Sequence, residues 1–374
     1  MIRLVHDDAK APAGASDISP IAREDVPAVA ALFRKTFGRA DGSGDGALEA
    51  YIERLFVEPL EAEPEIASLV HRTEAGSVDG FVGVIAMPFV VDGAMRRAAF
   101  CGALMVADAT RDPLAGAKLL RTFLNGPQDL SLSETANAIS EGMWRRLRGT
   151  VLPAYSLEWI RVFRPVAFAH AVAAAKRPAL RRLRGLAVPL DALARRAMPA
   201  LAASACTEEE IVDDAAFAAL LERFTAQAAA RPAWSEMDLD RMIEDARSKA
   251  RYGAMTRRLV RRGAMPIGLY VRHAEPGGIG HVLQIAAAPG RMQDVIDRLF
   301  ASAAEEGLAG LRGRSQPAIL EAVLTRGCAY AHRASTLVHA RDQALIEPFL
   351  AGRAFVNGFA GESWTRLIGD DLAG

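Results

Sequence analysis

The chain has 374 residues, enough for two hydrophobic cores of ordinary size rather than one. Its 45 basic and 45 acidic side chains cancel, so no global field draws in nucleic acid, and 51% hydrophobic with 24% charged residues is ordinary for a globular chain. No apolar run reaches the roughly 18 residues of a membrane span, and three scattered cysteines, Cys101, Cys206 and Cys328, offer neither a disulfide framework nor metal-ligand spacing.

Residues 1–16 read as a loose tail without a signal-peptide apolar region, which points to a cytoplasmic protein. Ile18–Ile21, then Glu24-Asp25 and the run 26–33, read as a short strand, an acidic first turn and an amphipathic helix. Asp25 is the expected N-cap, with Pro27 in the first turn. A polar, glycine-rich loop over 41–46 leads to a second helix over 47–56. Three strand-like runs follow, at 66–72, 80–91 and 98–106, separated by Glu74-Ala75-Gly76-Ser77 and Asp92-Gly93, both hairpin signals. The turn Arg111-Asp112-Pro113-Leu114-Ala115-Gly116-Ala117 then passes into the helical pattern 118–124. Free N–H groups at such a strand-to-helix junction make an anion site suited to a pyrophosphate, and Ala115, Gly116 and Ala117 let a ligand approach the backbone. A further strand opens into Asn137, and a last helix ends at Gly149.

The second half repeats this order of elements without repeating the sequence. Residues 208–224 read as an entry strand and helix, 239–251 as a helix, and 256–261, 264–273 and 280–287 as three strands. A helix over 292–306, with Val295, Ile296, Leu299 and Phe300 on one face, precedes a strand at 308–312, a helix at 317–325 and a strand at 334–339.

The segment 98–149 resembles the acyl-CoA-binding core of the GNAT (N-acetyltransferase-fold) acyltransferases, whose loop is Gln/Arg-x-x-Gly-x-Gly/Ala. Arg111 and Gly116 match its first and last positions, while Leu114 stands where the family has its first glycine. Asn137 falls in the family frame, with Trp144 at the usual tyrosine position and Thr150 in place of a phenylalanine after Gly149. The order of elements carries the resemblance further than any single motif. It implies an α/β (α+β) protein of two tandem GNAT-like domains, each a mixed, mostly antiparallel sheet flanked by helices. The division it implies is 17–160 for an acyl-CoA-binding domain, 161–206 for a linker and 207–374 for a degenerate second copy. The second loop, Ala288-Pro289-Gly290-Arg291-Met292-Gln293, lacks the glycine spacing and is expected to bind acyl-CoA poorly.

The same resemblance implies transfer of an acetyl or longer acyl group from acyl-CoA, a co-substrate, to an amine, without a covalent enzyme intermediate and without a metal. Backbone N–H groups near Met105 and Val106 would hold the thioester carbonyl. Those from Arg111 through Asp112, Leu114, Ala115, Gly116 and Ala117 would hold the pyrophosphate, and Asn137 the pantetheine arm or a water. Trp144 offers only an indole N–H and cannot donate a proton to a thiolate. Tyr155 is then the candidate acid, against its plainer reading as a core tyrosine. Glu134 is the candidate base, against its plainer reading as a strand acid facing solvent. None of the seven histidines has metal-ligand spacing.

Between the halves, residues 161–200 hold nine Lys/Arg against one acid, Asp191, interleaved with apolar residues and broken by prolines. The plain reading is a linker with a solvated basic face. The functional readings are docking of an acidic partner such as an acyl carrier protein, or contact with an anionic membrane surface. Near the C-terminus, Arg312 and Arg314 are suited to gripping a carboxylate or phosphate. The preferred reading instead pairs Glu362 with one of them, and 361–364 packs back on the body. Two rivals remain. One is a Fem-type transferase using aminoacyl-tRNA, with the basic stretch on RNA; the other is a non-catalytic scaffold that kept the fold.

Overall fold

The computed structural model describes residues 18–37, 45–58, 65–107, 112–177, 179, 191 and 207–367. β1 (Ile18–Pro20) leads into α1 (Val26–Phe37), whose buried Val26, Val29, Ala30 and Phe33 recur at helical spacing. α2 (Asp45–Ile52) runs on into a widened turn, Glu53–Val57. The meander is β2 (Leu69–Arg72), β3 (Val78–Ala86), β4 (Phe89–Val91), β5 (Ala94–Arg96) and β6 (Ala98–Val106). The expected strand 80–91 is thus two strands, broken at Met87-Pro88, where proline cannot donate to a ladder. Asp92 and Gly93 both take positive φ, 46° and 81°, as a two-residue hairpin turn requires. α3 (Ala115–Leu124), β7 (Leu130–Ala136), α4 (Ala138–Arg146) and β8 (Thr150–Val151) follow, then α5 (Pro153–Ser156), β9 (Leu157–Val162) and α6 (Pro165–Lys176).

The second half runs β10 (Glu208–Ile211), α7 (Asp214–Thr225), β11 (Ala230–Pro232) and α8 (Glu236–Arg247), then β12 (Ala254–Arg262), β13 (Met265–Ala274) and β14 (Ile279–Ala287). α9 (Met292–Glu305), β15 (Gly310–Arg314), α10 (Pro317–Leu324), β16 (Ala329–His332), β17 (Ser335–Ala340) and α11 (Glu347–Leu350) complete it.

Two seven-stranded sheets result, ordered β1-β2-β3-β6-β7-β17-β8 and β10-β12-β13-β14-β15-β9-β16. Each holds one parallel pair, β6 with β7 and β14 with β15, among antiparallel neighbours. A three-stranded sheet, β11-β4-β5, bridges the halves. The large sheets are not built from separate lengths of chain. β9, from the first half, lies between β15 and β16, and β17, from the second half, lies between β7 and β8. Trp159 of β9 is buried against Phe300 of α9, ring centroids 5.7 Å apart, and Leu337 of β17 is buried in the core under the first sheet. The boundaries 17–160 and 207–374 miss this exchange, because both strands look like the end of their own half.

Of the expected linker, Arg161 and Val162 end β9 and Pro165–Lys176 is α6. Arg161 donates to the carbonyls of Arg326 and Gly327, and Arg164 to that of Gly307 at 3.1 Å. Asp191 accepts from the N–H groups of Val166 and Ala167 at the start of α6. Most of the remaining basic stretch, with Cys206, lies outside the described residues.

Because Leu337 anchors a strand lent by one half to the other, Leu337→Ala should lower stability by about 2–5 kcal/mol. Urea unfolding followed by tryptophan fluorescence and by circular dichroism should still show one coincident transition.

Candidate active site

The parallel pair β6–β7 holds only over Ala98–Phe100 against Leu130–Leu132. Beyond it the strands part, and a weak bond from Ser133 Oγ to the Cys101 carbonyl, 3.4 Å, is the last direct bridge between them. On its other edge β6 stays paired with β3, and the register skips Gly102 between Gly83↔Ala103 and Val84↔Cys101, a β-bulge. Ala107 N–H donates to the Asp79 carbonyl, and the alternation of an antiparallel ladder then turns Met105 and Ala103 toward β3. Leu104 and Val106 turn their backbone groups into the open angle. Of the two positions expected to face a thioester, Val106 therefore does so, and Met105 does not: its N–H belongs to the ladder and its side chain to the core.

α3 begins beside the open end of this wedge. Ala115, Gly116 and Ala117 form its first turn, where an α-helix leaves N–H groups without helical partners. A Cβ on Gly116 would meet only Val106 and Met143, at 3.5 and 3.6 Å, so the glycine is not demanded by packing. Two of the expected N–H donors are already employed, Leu114 on the Asp112 carboxylate and Ala115 on the Asp112 carbonyl at 3.3 Å. Asp112 uses one oxygen to accept from the Leu114 N–H at 2.9 Å and the other from Lys118 Nζ at 3.0 Å, and the Lys118 bond holds its carboxyl below the usual range. Arg111 lies outside the described residues. Asn137 is exposed and caps α4, its Oδ1 accepting from Ser140 N–H at 2.9 Å. Trp144 is buried in the core against Phe123.

The apex of the wedge is closed by the C-terminal segment 354–367. Glu362 enters it with its carboxylate between β7 and β6. Its Oε1 accepts from Glu134 N–H (3.1 Å), Thr135 N–H (2.7 Å) and Thr135 Oγ1 (2.6 Å). Its Oε2 has no partner and lies 3.5 Å from where a Cβ on Gly102 would be. Glu134 returns the arrangement. Its oxygens accept from the N–H groups of Gly358, Glu362 and Ser363, at 3.2, 2.8 and 2.9 Å, and from Ser363 Oγ. Gly361 must be glycine here, since a Cβ would come within 2.3 Å of Glu134 Oε2. Glu362 pairs with neither Arg312 nor Arg314, contrary to expectation. Fully buried, it is pushed up to about 7, chiefly by desolvation, with Glu134 adding repulsion and the Thr135 bonds opposing.

The two candidates for proton transfer thus have other work. Glu134 is fully buried, with both oxygens spent on the clamp, rather than exposed on its strand. Tyr155 is buried, donates its hydroxyl to the Ala354 carbonyl at 3.0 Å, and is pushed up to about 12 by burial. Glu362, named in the sequence only as an arginine partner, is the carboxylate in the wedge. Its 228-residue separation from Glu134 left no local signal of that.

On the far side of Thr135 and Ser363, a cleft of about 250 Å³ opens between the sheets. Arg312 and Arg314 of β15 enter it, with Arg333, Lys249 and His281. Among the described residues no group of acids, histidines and cysteines is placed to hold a metal ion, and no helix is long and apolar enough to cross a membrane.

No family model matches the chain, and no curated protein matches it in sequence. Solved structures do. A GCN5-related N-acetyltransferase from Kribbella flavida superposes with a TM-score of 0.55 at 13% identity, covering 88% of this chain and 71% of that one. One from Anabaena variabilis gives 0.56 at 12%, covering 86% and 72%. A conserved protein of unknown function from Enterococcus faecalis, titled a probable N-acyltransferase, gives 0.54 at 8%, covering 88% and 73%. Two mixed seven-stranded sheets flanked by helices give this chain the fold of the GCN5-related N-acetyltransferases.

Proposed function

We propose that this protein transfers an acetyl or longer acyl group from acyl-CoA to an amine by direct attack. The observation that carries the reading is the open angle between β6 and β7, with a helix N-terminus at its mouth and a buried carboxylate at its apex. The residues present suit a CoA thioester. Gly116 and Ala117 would offer N–H groups to the pyrophosphate, and Leu104 and Val106 an unpaired strand edge to the pantetheine. Gly102, at the bulge, would stand beside the acyl carbonyl. The fold shared with proteins titled N-acetyltransferase and probable N-acyltransferase supports the same class.

Glu362 supplies the proton chemistry in this proposal, the role first given to Glu134. As the amine nitrogen bonds to the acyl carbon and the C–S bond breaks, one N–H proton passes to Glu362 Oε2. A carboxylate near 7 is matched to that task at neutral pH. The departing thiolate, with an intrinsic thiol pKa of about 8.5, needs little assistance and takes its proton from Glu362 or from water.

Acetyl-CoA at a hundred times its dissociation constant should stabilise the protein by about 2.7 kcal/mol, seen as a thermal shift. Gly116→Ala should keep that shift. Gly116→Glu should abolish it while folding normally, because an acid in the first turn of a helix is itself stabilising. Absence of any shift with acetyl-CoA, longer acyl-CoAs and CoA would sink the proposal.

Glu362→Gln should cut kcat by about 10²–10⁴ and remove the limb of the kcat/KM profile that rises with pH to a plateau above about 7. Stability gives a second readout. With its folded value above the ordinary 4.5, Glu362 contributes stability that is fully present below 4.5 and lost as pH rises through about 7. The stability of the native protein relative to Glu362→Gln should therefore fall over that window, by at most about 1.4 kcal/mol per pH unit, in urea titrations at several pH values.

A further inference from the structure

We propose that the cleft between the sheets selects an acceptor carrying both an amine and an oxyanion, a carboxylate or a phosphate, on one small molecule. This rests on the acyl-transfer reading above and names the class of its second substrate. The cleft adjoins the proton acceptor: Thr135, which lines it, donates two hydrogen bonds to Glu362, and Ser363, which also lines it, follows Glu362 in the chain. Glu362 itself is buried behind Thr135 and does not line the cleft, so the acceptor's amine follows from the transfer reading and its oxyanion from the cleft.

The other end is cationic. Glu158 is shared by two guanidiniums, Arg312 Nε on Oε1 and Arg333 Nε on Oε2, the latter at 2.8 Å. One carboxylate against two arginines leaves a net positive charge, and a second oxyanion can be taken in the planar fork of donors that guanidinium presents. Lys249 lines the same cleft, its Nζ bonded to the Ser363 carbonyl at 2.6 Å and standing over the Tyr252 ring. Arg314 likewise spends its donors on the carbonyls of Ser156, Ala334 and Glu134 and on Thr336 Oγ1, which carry no formal charge. His281 lies tilted against Tyr252, ring centroids 4.1 Å apart. Burial comes first, and then Arg312, His273, Lys249 and Arg251 push its imidazole down to about 3. A cleft with cations at one end and the neutral hydrogen-bonding residues Thr135 and Ser363 at the other is complementary to the oxyanion of such an acceptor and repels a polycation. Its volume, under the roughly 300–1,000 Å³ usual for drug-sized ligands, suits a molecule of amino-acid size.

The test measures thiol release from acetyl-CoA with four probes: phenylalanine, O-phosphoethanolamine, phenethylamine and spermidine. The native protein is compared with Arg333→Gln, whose side chain is 60% exposed, and with Arg312→Gln/Arg333→Gln. The expected result is a preference of about a hundredfold or more in kcat/KM for phenylalanine or O-phosphoethanolamine over phenethylamine. Which of the two leads tells carboxylate from phosphate. Both variants should shrink that preference while leaving the acetyl-CoA thermal shift intact. Equal or faster acetylation of phenethylamine or spermidine overturns the proposal, as does a preference that survives both variants. Calorimetric titration of the same probes without acetyl-CoA reads the cleft independently. Binding of either oxyanion-bearing amine, lost in the double variant, supports the cleft even if acetyl-CoA gives no shift and the transfer reading fails. Absence of oxyanion-dependent binding overturns it.

Discussion

Two buried carboxylates, each held by the other's backbone, organise this molecule. Glu134 sits on β7 and accepts from the N–H groups around Glu362, while Glu362 accepts from the N–H groups of Glu134 and Thr135. Taking two acids out of water is costly, and the cost is tolerable only because donors surround them. The donors are unevenly shared. Glu134 has both oxygens satisfied, whereas Glu362 keeps one oxygen without a partner and titrates near neutrality. The two acids are therefore unequal: one fixes the C-terminal segment with both oxygens, and the other keeps the oxygen to which the proposed reaction assigns the proton.

The strand exchange places that clamp. β17 continues the first sheet beyond β7, and β9 continues the second beyond β15. The register of β7 with β17 shifts between Ser335 and Leu337, and at that shift two successive N–H groups, of Glu134 and Thr135, point to one acceptor. Arg314 ties the two sheets together, donating to the Glu134 carbonyl at 2.7 Å from β15. Neither sheet could present the wedge or the cleft by itself, because each borrows a strand and the C-terminal segment belongs to both.

Much of the fold was legible in the chain. The meander, the helix over 292–305 and the strand at 335–340 follow from apolar periodicity and from turns such as Asp92-Gly93, which are local causes. The strand-to-helix junction at 115–117 was legible for the same reason. Register was not. Met105 and Val106 look alike in sequence, and only the ladder decides that Val106 faces the wedge. Tyr155 and Glu134 carried suitable chemistry, but their partners, Ala354 and the backbone of 358–363, lie about 200 residues away or more.

The amino-acid sequence by itself determined most of the helices and the meander strands, their order and the small residues at the first turn of α3, since each depends on near neighbours and composition. The tertiary structure alone decided which strands were exchanged, that Glu362 rather than Glu134 offers an oxygen to the wedge, and that Arg312, Arg333 and Lys249 share a cleft. Those outcomes depend on contacts between distant residues, and on burial, which sets the charge state of a carboxyl or an imidazole and leaves no mark in the order of residues.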